Sequence, residues 1–313
     1  MSNSTASLRR MIDSAGELQS VVRTMKALAA SSIGQYEKSV RALTDYYRTV
    51  ELGLGVCLRQ SDPPTSVVRG HRQANVGSIG AIVFGSDQGL VGQFNEVVVD
   101  HAVKALAVMS GTPQVWGVGE RAHARLADAG LTLMGRFDVP NSVKAIAPLV
   151  EQILVESETR HSKGEVTELH LFYNRPVSRS AYEPVSQRLL PLDEGWRYKL
   201  SDLPWPTRNL PEVLGANTAT LRALIREYLF VSLFRACAES LASENASRLA
   251  AMDRADRNID ELLENLRGTF HRLRQSDIDE ELFDVISGFE ALVRPRVQLE
   301  RAPITPSGFS SLP

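Results

Sequence analysis

Apolar positions recur at steps of three and four near both ends of the chain, the spacing of one helix face. At the N-terminal end the series is Leu18, Val21, Val22, Met25, Leu28, Ala29, Ile33, Tyr36, Val40, Leu43, Tyr47 and Val50, and no proline falls between Leu8 and Arg59. Gly16, Gly34, Gly53 and Gly55 weaken such a helix by up to about 1 kcal/mol each relative to alanine without ending it. The run Ser61–Ser66 (SDPPTS), with its prolines and turn-forming side chains, does end it.

The C-terminal signal is longer. Ala216 to Arg267 contains neither glycine nor proline, and only Gly268 and Gly288 interrupt the helical texture before Pro295. At ~1.5 Å per residue, a helix of about 70 residues exceeds 100 Å. Its candidate seam is Ala242, Asn245, Leu249, Met252, Asp256, Ile259, Leu263, Leu266, Phe270 and Leu273, a coiled-coil spacing. The opposite face reads as charged: Glu244, Arg248, Arg254, Arg257, Asp260, Glu261, Glu264 and Arg267. Such a seam needs a partner helix, and the N-terminal helix is the one of comparable length.

Between the two lies a different texture. Ile79–Phe84 and Leu169–Tyr173 read as buried strands and Gln114–Val118 as another, while Asn95–Met109, Glu120–Ala129 and Val143–Glu158 read as helices. Alternating strands and helices predict βαβ units and a partly parallel sheet. Pro184, Pro191, Pro204, Pro206 and Pro211 mark an irregular connection back to the long helix. The expected division is a helix over 1–60, a linker over 61–75, an inserted Rossmann-like α/β domain over 76–200, a connector over 201–215, a helix over 216–292 and a disordered tail over 293–313.

Composition adds exclusions. With net charge −2 and pI near 6.3, no basic field is available to hold nucleic acid. The basic cluster Arg267–Gln275 is interleaved with seam residues and reads as a polar helix face contacting protein. Cys57 and Cys237 are the only cysteines, too few for a disulfide framework or a cysteine-rich zinc site, and both read as small core residues in a reducing setting. The opening residues hold no apolar run of a signal peptide. No apolar stretch reaches the length of a membrane-spanning helix.

Catalytic motifs are sparse. The six histidines (His71, His101, His123, His161, His170 and His271) have no paired metal-ligand spacing, and no nucleophile elbow occurs. Two glycine motifs compete for attention. Gly85–Gly92 (GSDQGLVG) follows a strand but lacks the lysine of a phosphate-binding loop. Gly117–Ala122 (GVGERA) fits G-x-G-x-x-A between strand and helix, with Asp138 about 20 residues beyond. A dinucleotide-binding oxidoreductase using Gly117–Asp138 is therefore the alternative reading. The bland reading is a tight strand-to-helix turn.

Three motifs, in this order, resemble one known family. They are Val21–Ser32 (VVRTMKALAASS), Phe84–Asn95 (FGSDQGLVGQFN), and Glu239–Asn258 (ESLASENASRLAAMDRADRN) followed by Phe270–Leu282 (FHRLRQSDIDEEL). The chain is identified from these as a member of the γ subunit family of F-type ATP synthases, with likeness running from about Leu8 to Leu292. Gln88, Val91, Gln93, Ser32 and Asp279 depart from the usual family residues, which leaves both the standard branch and an alternative, sodium-type branch open.

The resemblance implies an antiparallel coiled coil of the terminal helices, the α/β domain serving as a foot. It implies α and β subunits of a catalytic ring, an ε subunit and a membrane c-ring as partners. It also implies no catalytic residue and no cofactor in this chain, and a peripheral position on the cytoplasmic face of the inner membrane. By the same resemblance Met25, Arg248, Arg274, Gln275 and Glu281 are partner-contact residues. Gly85, Ser86, Asp87, Gly89, Gly92, Phe94 and Asn95 form the family's signature turn.

Overall fold

The computed structural model describes residues 2–60, 78–177, 181–209, 211–213 and 217–293. The expected linker, His71 and the expected tail beyond Val293 lie outside the described residues. Two helices dominate, α1 (Ser2–Gln60) and α6 (Asn217–Val293). The chain divides into two compact units, Val22–Ala255 and a second formed by Met1–Val21 with Asp256–Pro313.

In the larger unit α1 and α6 run antiparallel. Lys26 Nζ lies 2.5 Å from Asp253 Oδ1, Tyr46 Oη donates to Glu227 Oε1 at 2.8 Å, and Asn217 Nδ2 donates to the carbonyl of Cys57 at 3.2 Å. The rings of Tyr47 and Tyr228 stand 5.6 Å apart between the helices. Numbers rise along one helix as they fall along the other. Ala29, Tyr36 and Val50 are buried, with Met25, Ile33, Val40, Leu43 and Tyr47 half-buried, so the stripe keeps its steps of three and four. Leu28 is exposed and lies off that stripe.

The inserted region is β1 (Ser78–Phe84), α2 (Phe94–Ala107), β2 (Thr112–Val118), α3 (Glu120–Asp128), β3 (Thr132–Phe137), α4 (Val143–Ser162), β4 (Glu168–Pro176), β5 (Tyr182–Leu190) and α5 (Glu194–Ser201). The sheet order is β3-β2-β1-β4-β5. The first four strands are parallel and β5 is antiparallel to β4.

Alternation along β1 sends Ile79, Ala81 and Val83 to one face, against Val98, Val99, Ala122 and Leu126 of α2 and α3. It sends Ile82 and Phe84 to the other, with Ile146 and Val150 of α4, Leu54 of α1 and Leu233, Cys237 and Leu241 of α6. A strand buried on both faces must be apolar throughout, as IGAIVF is. Cys57 and Cys237 are buried, as small core residues should be.

In the smaller unit Gln19 Nε2 of α1 donates to Asp260 Oδ1 at 2.5 Å and Asp256 Oδ1 at 3.3 Å on α6. Leu263 is buried there, and Ile259, Leu266, Phe270 and Leu273 are half-buried. Leu18 and Val21 are exposed.

Two expectations need correction, and one strand was not anticipated. The proline-marked connection is not irregular throughout, because Tyr182–Leu190 forms strand β5 and Glu194–Ser201 forms helix α5. Pro184 is tolerated because β5 is the edge strand, where a missing N–H breaks no central ladder. Strand β3 carries only partial burial and therefore no apolar run. Finally, Glu244 and Arg248 do not belong to a solvated face. Glu244 is 5% exposed, and the Arg248 side chain is 13% exposed.

Candidate functional site

The signature turn sits where β1 ends. Ser86 N donates to Asn95 Oδ1 at 2.9 Å, and Asn95 Nδ2 donates to Ser86 Oγ at 2.8 Å. Ser86 Oγ donates onward to the carbonyl of Gln88 at 2.9 Å. Phe94 is fully buried and its carbonyl accepts from Asn174 Nδ2 of β4 at 2.9 Å. Asn95 and Asn174 thereby close backbone groups of the buried residues Ser86 and Phe94.

Asp87 joins three segments. Its Oδ1 accepts from Glu120 N at 3.0 Å, capping α3, and its Oδ2 accepts from Val139 N at 3.0 Å, beyond β3. The backbone of the turn makes two further ties, Arg121 N to the carbonyl of Ser86 at 2.9 Å and Gly85 N to the carbonyl of Val118 at 2.8 Å. Gly119 has φ +100°, and a Cβ there would stand 2.7 Å from the Ser86 carbonyl carbon and oxygen. A Cβ on Gly85 would collide with that of Ala122. The G-x-G-x-x-A spacing is thus explained by two turns pressed backbone to backbone.

This arrangement answers the dinucleotide alternative. The N–H groups at the start of α3 that would hold a pyrophosphate are bonded to Asp87 and Ser86 instead. Asp138 pairs with Arg136 at 3.4 Å.

The far side of the turn rests on α6. Ser247 Oγ donates to the carbonyl of Val91 at 2.5 Å. Gly92 turns with φ +56°, and a Cβ there would meet Ser247 Oγ at 3.5 Å. Gly89, by contrast, has open space on all sides closer than 3.9 Å. Ser247 is a residue the sequence reading did not single out. Ser240, Ser243 and Ser247 are all buried, and their steps of three and four trace a small-residue face on which a loop can approach the helix closely.

Beside this contact lies a cleft of about 360 Å³, walled by Met25 and Leu28 of α1, Asp87 of the turn, and Leu241, Glu244 and Arg248 of α6. Arg248 Nη2 donates to Glu244 Oε1 at 2.5 Å and Nη1 to Asn245 Oδ1 at 3.3 Å. Burial pushes the Glu244 carboxyl up, Arg248 pulls it down, and the negative charge of Asp87 pushes it up again. The predicted partner-contact residues therefore separate into two places. Met25 and Arg248 line this cleft, whereas Arg274, Gln275 and Glu281 stand exposed on α6.

Comparison with known proteins decides the family. The ATP synthase family profile matches residues 4–292. The chain belongs to the ATP synthase gamma-chain family. It is 27% identical over 289 residues to the ATP synthase gamma chain of Moorella thermoacetica, covering 91% of this chain and 98% of that one. It is 28% identical over 305 residues to the gamma chain of Salinibacter ruber, covering 91% and 97%. Its fold matches a chain of the Euglena gracilis mitochondrial ATP synthase (OSCP/F1/c-ring, rotational state 3) at TM-score 0.63 and 16% identity, covering 97% of this chain and 100% of the other.

Within the ATP synthase gamma-chain family its role is that of the central rotor subunit. No helix among the described residues is long and apolar enough to cross a membrane. The turn at Gly85–Asn95 is tied to α6 through Ser247 and the carbonyl of Val91.

Proposed function

We propose that this chain turns inside a ring of α and β subunits and couples ion flow through a membrane sector to ATP synthesis or hydrolysis in that ring. In this reading its other partners are an ε subunit and a membrane c-ring. The nucleotide sites belong to the ring, and the chain is held peripherally at the cytoplasmic face of the membrane. A rotor acts by offering each of several equivalent sites a different face. Moving one site from 1:99 to 99:1 between two forms takes about 5.5 kcal/mol of differential contact energy. Two or three charge-assisted hydrogen bonds at about 1.5–3 kcal/mol each reach that sum.

One observation supports the reading most. Beyond the buried seam, α6 carries Arg274, Gln275 and Glu281 in solvent. The same stretch exposes Ile278, Leu282, Phe283, Val285, Ile286, Phe289 and Leu292. So many large apolar side chains on one helix end suit a surface covered by other proteins. Arg248 has a supporting part, since its guanidinium is committed to Glu244 and Asn245.

The test replaces Arg274 and Gln275 by alanine in the reconstituted complex. Slowed or uncoupled turnover is expected, with the stability of the purified chain unchanged because both side chains are exposed. Wild-type turnover and coupling would remove these residues from the contact set.

A further inference from the structure

The backbone of the signature turn is bent on both sides of Val91. Leu90 has φ +63° although it is not glycine, and Gly92 has φ +56°. In the left-handed region a leucine crowds its Cβ against the following carbonyl, so the conformation persists only where the surroundings hold it. The Leu90 side chain does not do the holding, since it is 61% exposed. The bend buries the Val91 side chain and brings the Val91 carbonyl to α6, where Ser247 Oγ donates to it at 2.5 Å. The other donor to that carbonyl, Phe94 N, stands farther off at 3.3 Å.

The place of this bond along α6 gives it leverage. The apolar core that the sheet shares with α6 runs along that helix from Tyr228 to Ala242. Ser247 lies beyond its end, about 7 Å farther along the axis at ~1.5 Å per residue. A packed patch alone leaves two bodies free to rock about it, and a second fixed point farther along the axis opposes the rocking. Ser243, one turn earlier on the same face, is also buried, yet its Oγ has no hydrogen-bond partner among the described residues. The tie therefore belongs to Ser247 and not to the small-residue face as such.

We propose that Ser247 is a positioning residue of the rotor, its hydroxyl holding the strained turn against α6 so that the sheet and the long helix rotate as one body. Ser247 acts through the Val91 carbonyl and touches no substrate. This role presupposes the coupling of ion flow to ATP turnover proposed above.

Ser247→Ala and Ser243→Ala make the same chemical change on one face of α6, and only the first removes a bond. In the full-length chain, hydrogen exchange at the Phe94 amide, followed by NMR, is expected to quicken at least about fivefold in Ser247→Ala, the loss of one neutral hydrogen bond. Ser243→Ala is expected to stay within about twofold of wild type on the same ground. Asparagine accepts the left-handed region, so adding Leu90→Asn to Ser247→Ala removes the strain that the hydroxyl opposes and is expected to restore slow exchange. In the reconstituted complex, Ser247→Ala is expected to move roughly half as many ions per ATP hydrolysed as wild type or fewer, with KM for ATP unchanged, for the loss of that one bond. Ser243→Ala is expected to match wild type there too. Equal exchange in the two serine variants, exchange not rescued by Leu90→Asn, or full coupling in Ser247→Ala overturns the positioning role and leaves the rotor reading intact. A wild-type complex whose turnover is not coupled to ion flow overturns both.

Discussion

Arg248 and Glu244 face each other one turn apart on α6, Nη2 to Oε1 at 2.5 Å, both largely withdrawn from water. A buried ion pair contributes little beyond its own desolvation, but removing one member exposes the full penalty of the other. Arg248→Ala is therefore expected to destabilise the chain by about 3 kcal/mol near pH 8, measured by urea unfolding. The double change Glu244→Leu with Arg248→Met should recover most of that loss.

The same pair sets a pH dependence. Burial, the largest influence, holds the Glu244 carboxyl above its ordinary value of 4.5. A group raised in the folded state favours folding fully below its unfolded pKa, and that contribution is lost as pH rises through the folded value. Glu244→Gln should thus gain stability relative to wild type as pH is raised from about 4.5 toward 8. A flat difference between the two unfolding curves would show that Arg248 fully offsets the burial.

Gly119 and Gly89 offer a contrast within one region. Gly119→Ala forces a Cβ to 2.7 Å from the Ser86 backbone at φ +100°, and a cost of at least about 2–3 kcal/mol is expected. Gly89→Ala meets nothing closer than 3.9 Å and should stay within about 0.5–1 kcal/mol of wild type. The urea midpoints of the two variants decide this.

Asp87→Ala removes a helix cap and a second backbone bond, together about 2 kcal/mol. Hydrogen exchange should accelerate selectively at the amides of Glu120 and Val139, which lose their acceptor. The amide of Val83, within the central strand, should remain protected. Exchange that rises uniformly across the sheet would mean that Asp87 supports the whole fold rather than this junction.

Much of this architecture was legible because its signals were periodic. Steps of three and four along Met25–Val50 and Ala242–Leu273 locate both long helices, and IGAIVF locates the central strand. What escaped has physical causes. Strand β5 was hidden by Pro184, which is acceptable only at a sheet edge, and edge position is a property of the whole sheet. The charged face assigned to Glu244 and Arg248 failed because α6 buries two faces in this region, one toward α1 and one toward the signature turn. A single seam spacing describes only the first. The serines at 240, 243 and 247 carried the second signal, as small residues at helical spacing. G-x-G-x-x-A was readable as a turn, but only the coordinates show that Ser86 and Asp87 already occupy the donors a cofactor would need.

The antiparallel pairing also fixes an order of events during synthesis. Tyr46 meets Glu227, 181 residues later in the chain, and Lys26 meets Asp253. At about 5–20 residues per second, a ribosome takes roughly 10–40 s to cover the first of these intervals. The apolar stripe of α1 is made before its mate on α6, which emerges only after every strand of the sheet. The nascent chain thus carries an uncovered sticky helix throughout that interval, in which a holdase or a subunit already made could shield it.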